Sequence, residues 1–239
     1  MELGGRVAIV TGGGTGLGAE ICRQLAAAGA RGAVNYSRSA AEAESLAASL
    51  PTRCVPVRAD VRIDADVRAM VGEAEHALDG PVDLLVNNAG VTTYAPAPDL
   101  DAITDDDWAR ILDVNLVGTW RCIRAVAEGM RARGLGSIVN VASDAIVFLE
   151  GSSIPYVVSK VGVAALTRML AVAIAPVRVN AVAPGWMETP WLDRYVPQEV
   201  AAALRRGDEP VVPLDVVARE VVRLLADDGA TGEVVQLSE

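Results

Sequence analysis

Residues Arg6-Val7-Ala8-Ile9-Val10-Thr11-Gly12-Gly13-Gly14-Thr15-Gly16-Leu17-Gly18 read as a strand, a glycine-rich turn and the start of a helix. Turns collect glycine for backbone reasons alone. Between a strand and a helix the glycines gain a second meaning, because they let main-chain amides approach a pyrophosphate whose charge the helix N-terminus favours. Outward from this turn, short β-branched runs alternate with longer helical patterns. Strands are expected at residues 6–10, 32–36, 53–57, 82–86, 137–141, 177–182 and 233–237, and helices at 17–28, 40–50, 64–78, 105–133, 153–175 and 213–226. Most of the strands are continuous apolar runs, the kind buried on both faces. The alternation predicts an α/β fold, a doubly wound parallel sheet of about seven strands with helices on both faces. Ligands of such sheets sit at the carboxyl ends of the strands.

The 239 residues can bury one large core, and no linker, low-complexity segment or repeat divides them, so a single domain over 1–239 is expected. Residues 183–212 are irregular, rich in Pro, Trp and charge, and follow a strand. Over 186–212 they read as a substrate lid or as an ordinary surface excursion. No apolar run reaches the roughly 18–20 residues of a membrane span and the first residues lack a signal peptide's apolar core, so the expected location is the cytoplasm, with no membrane partner. The formal charge of −10 would repel a phosphate backbone and argues against a nucleic-acid partner.

Cys22, Cys54 and Cys122 are odd in number and widely spaced, so they suggest neither disulfides nor a zinc site and read as small buried hydrophobes. The single histidine, His76, falls in a charged helical stretch and reads as a surface residue; its solitude argues against a Ser-His-Asp hydrolase. Thr104-Asp105-Asp106-Asp107 could pass for a metal cluster, but it precedes a helix, where such residues cap free amides. No metal is expected.

Tyr156-Val157-Val158-Ser159-Lys160 places a phenol and an ammonium one helical turn apart, roughly 5–6 Å between Cβ atoms. A fixed positive charge favours the phenolate and draws the tyrosine toward useful proton transfer. Alone, the pair is equally the pattern of a partly buried ring beside a solvated tip. Its company matters more: Ser143 stands thirteen residues upstream, and the glycine turn lies near the N-terminus.

In this order, the Thr11 to Gly18 turn, Asp60-Val61, Asn87-Asn88-Ala89-Gly90, Asn115, Ser143, Tyr156, Lys160 and Pro184-Gly185 resemble the short-chain dehydrogenase/reductase family over nearly the whole chain. The resemblance implies a Rossmann-type sheet and an enzyme interconverting a ketone and a secondary alcohol. It casts Tyr156 as proton donor and acceptor, and Lys160 as the group that lowers its pKa and bonds the nicotinamide ribose. Ser143 would hold the substrate oxygen and Asn115 support a water-linked relay to the lysine. Gly12, Gly14, Thr15, Gly16, Leu17 and Gly18 would cradle the cofactor, with Asn88, Ala89 and Gly90 beside it and Asn87 bracing the turn. Asp60 and Val61 would meet the adenine; Pro184, Gly185 and Thr189 would meet the nicotinamide. The overall appearance is nearest to 3-oxoacyl-carrier-protein-reductase-like members.

NAD-preferring relatives usually place a carboxylate where this chain has Tyr36. Here Ser37 and Arg38 follow instead, suited to an adenosine 2′-phosphate, so NADP is favoured over NAD. Tyr94, Val147, Trp186, Met187, Trp191 and Leu192 suggest an apolar pocket for a small-molecule ketone or alcohol. The chain lacks a few residues before the sixth strand and the Asp-Gly-Gly stretch common near the end of relatives. Members are typically homotetramers or homodimers paired through the helix carrying Tyr156, and the small residues Val161-Gly162-Val163-Ala164-Ala165-Leu166 fit close helix packing. The alternatives are an NAD-dependent sugar, polyol or hydroxysteroid dehydrogenase, and a non-catalytic dinucleotide sensor.

Overall fold

The computed structural model describes residues 1–238; Glu239, the last residue of the expected domain, lies outside them. Its first half runs β1 (Val7–Val10), α1 (Gly16–Ala27), β2 (Arg31–Tyr36), α2 (Ala40–Ser49), β3 (Cys54–Arg58), α3 (Asp64–Ala77) and β4 (Val82–Asn87). The second runs α4 (Asp105–Leu112), a π-helical turn over Asp113–Gly118, α5 (Thr119–Arg133), β5 (Ser137–Val141), α6 (Ala145–Phe148), α7 (Ile154–Ala173) and β6 (Arg178–Pro184). It closes with α8 (Pro190–Tyr195), α9 (Gln198–Arg206), α10 (Leu214–Ala226) and β7 (Val234–Leu237). The strands form one seven-stranded sheet in the order β3-β2-β1-β4-β5-β6-β7, with every pairing parallel. This is the expected doubly wound sheet. Strand order reverses between β1 and β4, and the crevice at their carboxyl ends is where such a sheet receives its ligand.

The two faces follow from strand alternation. In β1, Ala8 and Val10 join one core with Leu17, Ile21 and Leu25 of α1, Leu46 of α2 and Val217, Val221 and Leu224 of α10. Val7 and Ile9 point the other way, into a core with Met70 of α3, Ile123 and Met130 of α5 and Leu170 of α7. β1 is buried throughout and is a continuous apolar run, while β4, equally buried, carries Asp83 near its start and Asn87 at its end, the latter bonded to Asn140.

Several expectations need correction. Residues 105–133, read as one helix, carry the π-helical turn in their middle. Residues 183–212, read as irregular, contain α8 and α9; Leu192 of α8, Val196 just after it, and Ala201 and Leu204 of α9 bury one another in a small separate core. Thr189 caps α8 by accepting from Trp191 N, with Pro190 at the first helical position. α7 has 20 residues and mean hydropathy 1.5, long and apolar enough by length and composition to cross a membrane, contrary to the expectation that no run would be. It nonetheless packs on β5 and β6 and buries Lys160.

Other expectations hold. Thr104 and Asp107 form a capping box at the start of α4, the capping role expected of this acidic stretch. His76 is exposed near the end of α3. Cys22 and Cys122 are buried, while Cys54 is only half-buried.

Candidate active site

The glycine turn is held from two sides. Thr11 Oγ1 accepts from Asn88 N and Ala89 N, both at 3.0 Å, while Asn88 Nδ2 donates to Thr11 O and Gly12 O at 2.9 and 3.0 Å. Gly12 has φ +61°, and a Cβ on Gly18 would fall 2.3 Å from Gly12 O. Only glycine lets the helix start that close to the turn. Gly14 packs similarly against Ser39 and Ala43. Gly12 N donates to Asn35 Oδ1 at 3.2 Å, and Asn35 Nδ2 donates to Val57 O and Ala59 O. Asn35 was missed from sequence, although a lone amide in the apolar run Ala33-Val34-Asn35 is the kind of buried polar group that demands partners. The expectation that Asn87 braces the turn is corrected, since its amide donates to Asn140 Oδ1 at 2.9 Å and Asn140 continues to Thr167. The brace is Asn88.

Gly12, Thr15, Gly16 and Leu17 open onto a cleft of about 960 Å³ that also takes in Asn88, Ala89 and Gly90 from the end of β4. Gly14 and Gly18 lie behind it as packing residues. The close-packed glycines and the helix N-terminus behind them fit a dinucleotide pyrophosphate. At the adenosine end the cleft is lined by Tyr36, Ser37, Arg38, Asp60 and Val61. Arg62 clasps Asp60, with Nε 3.0 Å from both carboxylate oxygens and Nη2 2.6 Å from Oδ2, which holds this carboxyl below its ordinary value. Arg58, also missed, is the register partner of Tyr36 on β3 and borders a recess with Ser37 and Arg38. It supplies a second guanidinium that the glycine turn does not.

At the other end, Ser143 follows β5, and Tyr156 and Lys160 stand one turn apart on α7; all three line the cleft. Lys160 Nζ lies 5.7 Å from the Tyr156 ring centre and donates to Val141 O at 2.8 Å. Desolvation pushes the phenol up to about 12, with the Ser143 hydroxyl pulling it down and the Asp144 charge pushing it up. Desolvation also pushes Lys160 down to about 8. The sequence expectation that the lysine lowers the tyrosine is not what this geometry yields, because burial dominates both groups. Asn115 sits in the π-helical turn, behind the cleft. Its side chain accepts from Val91 N at 2.8 Å and donates to Val91 O and Ser159 Oγ, both at 3.0 Å, while its carbonyl accepts from Thr119 Oγ1.

The nicotinamide-side residues Pro184, Gly185 and Thr189 line the cleft, as do Tyr94, Trp186, Met187, Trp191 and Leu192. Trp191 lies 6.0 Å from Tyr156 and 4.6 Å from Tyr195, ring centre to ring centre, and Tyr195 was not foreseen. Val147 is corrected: it faces solvent on α6, and its neighbour Phe148 lines the cleft instead. A four-residue helix turns consecutive side chains about 100° apart, so a position there cannot be assigned to a face without the helix.

The family model for short chain dehydrogenases matches residues 6–200. A Streptomyces violaceoruber protein named as ketoacyl reductase 2 of the granaticin polyketide synthase is 44% identical over 238 residues, covering 96% of this chain and 93% of its own. The 3-alpha-(or 20-beta)-hydroxysteroid dehydrogenase of Mycobacterium tuberculosis H37Rv is 38% identical over 231 residues, 95% of this chain and 84% of its own. The crystal structure of a chain named as a short-chain dehydrogenase/reductase from Burkholderia xenovorans superposes with a TM-score of 0.85 at 30% identity, covering 97% of this chain and 95% of that one.

Proposed function

The chain belongs to the short-chain dehydrogenase family and is an NAD(P)-dependent oxidoreductase, and from that premise we propose that it interconverts a ketone and a secondary alcohol with NADP(H). The observation that carries this reading is the meeting of Ser143, Tyr156 and Lys160 with the glycine turn around one cleft. When bound, the nicotinamide gives or takes the hydride. Tyr156 hands its proton to the substrate oxygen in reduction and takes it back in oxidation, and the Ser143 hydroxyl holds that oxygen in place. Lys160 stands beside Tyr156 to bond the nicotinamide ribose. Asn115 keeps the strand exit at Val91 in step with α7 through Ser159.

NADP is favoured by the guanidinium groups of Arg38 and Arg58, which border one recess with Ser37, and by Tyr36 standing where a carboxylate would repel a 2′-phosphate; of the carboxylates that also border the recess, Asp60 is held by Arg62. The aromatic and apolar lining by Tyr94, Trp186 and Trp191 suits a hydrophobic ketone, in keeping with the ketoacyl reductase relative. Oxidation of a hydroxysteroid is the second reading. The tilted contact of Trp191 with Tyr195, which gives the cleft an aromatic wall, and the hydroxysteroid dehydrogenase relative favour it.

The deciding experiment follows nicotinamide absorbance with NADPH and with NADH against β-ketoesters, diketones, aryl ketones, hydroxysteroids and sugars, with Tyr156→Phe as control. Turnover with NADPH that the Phe variant loses supports the reductase; preferential turnover of hydroxysteroids supports the second reading. A clear NADH preference overturns the cofactor assignment, and dinucleotide binding with no turnover across the panel overturns both activities.

A further inference from the structure

One ionisable side chain at the catalytic end of the cleft, Asp144, has no part in the proton transfer. It follows Ser143 and stands at the N-cap of α6. Its position is fixed from three directions. Ser143 Oγ donates to Oδ1 at 3.2 Å, Asp144 N donates to Pro184 O at 3.0 Å, and Oδ2 lies where a Cβ on Gly185 would come within 3.0 Å. The side chain is half-buried and lines the cleft.

Among the described residues no cation pairs with it. Burial pushes its carboxyl above the ordinary value, and what holds the group down is the Ser143 hydroxyl and the main-chain amides of Ala145 and Asp144 itself. Lys160 donates one of its three N–H groups to Val141 O, is moved by burial alone and makes no ion pair with Asp144. Arg110 is tied to Thr93 and Asp107, and Arg194 lies exposed over Tyr195 at the cleft rim. Glu150 and Glu209 also line the cleft and share the carboxylate's sign.

We propose that Asp144 is a specificity-determining residue: its uncompensated carboxylate, one hydrogen bond from the serine that holds the reacting oxygen, turns away ketones carrying a negative charge on the carbon beside the carbonyl. Neutral esters, thioesters and diketones are admitted. The proposal rests on the ketone-reductase reading. Ser143 carries a single hydroxyl proton, so to hold the substrate oxygen at about 2.7 Å it turns that proton from Asp144 Oδ1 to the substrate, and the oxygen then lies within roughly 6 Å of Asp144. A carboxylate on the adjacent carbon comes about as near, where like charges at an effective dielectric near 20 cost about tenfold to a hundredfold in affinity.

The test compares methyl benzoylformate with benzoylformate, one skeleton with and without the charge, by kcat/KM with NADPH in the wild type, Asp144→Asn and Asp144→Ser. The expected wild-type ratio of ester to acid is about 30 or more, falling at least about fivefold in both variants. Because the readout is a ratio, a general loss of activity cancels. An unchanged ratio in the variants overturns the proposal, as does a wild-type enzyme that takes the acid as well as the ester, which would mean that Arg194 pairs the substrate's charge. Loss of both substrates in both variants also overturns it, since Asp144 would then be needed for turnover of any kind. A wild type that reduces neither these nor any other ketone sinks the reductase reading itself.

Discussion

Lys160 sits where a charge is costly to keep. An unfolded chain holds the lysine proton up to its ordinary 10.5 and the folded chain only to about 8, so between those values unfolding takes up a proton and folded-state stability rises with pH. Below about 8 the folded protein carries the whole cost. Lys160→Met is therefore expected to stabilise the cofactor-free protein at pH 7 by about 1–2 kcal/mol, less than the full proton linkage because Val141 O loses its donor. Urea unfolding at pH 7 and again near pH 10 checks this: the gain should shrink at the higher pH, and a destabilised variant at pH 7 refutes it. The same substitution should abolish turnover, so the site keeps the lysine against the interest of the fold. Tyr156, pushed up to about 12, stays protonated through the neutral range. Ketone reduction should accordingly be flat between about pH 6 and 8 while alcohol oxidation climbs, up to about tenfold per unit. Oxidation that is flat over the same range contradicts the assignment of Tyr156 as base.

Among the elements, the turn from β1 into α1 tolerates least. A Cβ at Gly18 would meet Gly12 O at 2.3 Å and Asn88 Nδ2 at 2.6 Å, and the first of these is backbone that no rotamer change can move. Gly18→Ala should cost more than about 2 kcal/mol and remove dinucleotide binding, measured by urea unfolding and by nicotinamide fluorescence titration. Thr104→Ala loses the capping box of α4 and should cost about 1 kcal/mol, with cofactor binding intact. Both features are legible in sequence because their chemistry is local: glycine at a strand end, a hydroxyl and a carboxylate three residues apart. The π-helical turn is not, since Asn115 in its middle bonds Val91 and Ser159, which lie 24 and 44 residues away. α6 and α8 escape for another reason. With four and six residues they are too short for a 3.6-residue period to show, and the aim of Val147 and Phe148 was lost with them. Asp144 was legible only as the neighbour of Ser143; that its carboxylate goes uncompensated depends on where Lys160 and Arg110 send their protons.

At the scale of the whole molecule, the sheet could be read in advance because seven apolar runs separated by helical patterns leave few topologies once crossovers must be right-handed. What the chain alone could not separate is an inward from an outward apolar face of α7. The structure separates them: Val163, Ala164, Leu170 and Ala171 face the core, while Val158, Val161, Ala165, Met169 and Val172 are exposed. The exposed residues recur at intervals of three and four, so they form a single stripe along the helix. Val172 is 81% exposed and Met169 70%, more than a lone protomer has reason to leave to water. Two apolar faces on one helix account for its membrane-like hydropathy without a membrane, because a second copy of the chain can cover the outer stripe. Exposed Val117 of the π-helical turn and Trp120 of α5 extend the apolar surface of this region. The wild type is therefore expected to sediment as a dimer or tetramer, and Met169→Glu combined with Val172→Glu to sediment as a smaller species at micromolar concentration. Both carboxylates would be buried at the joint with no cation to compensate them. A wild type that sediments as a monomer, or a double variant of unchanged size, would mean that the stripe is bare for some other reason and that the pairing surface, if there is one, lies elsewhere on the molecule.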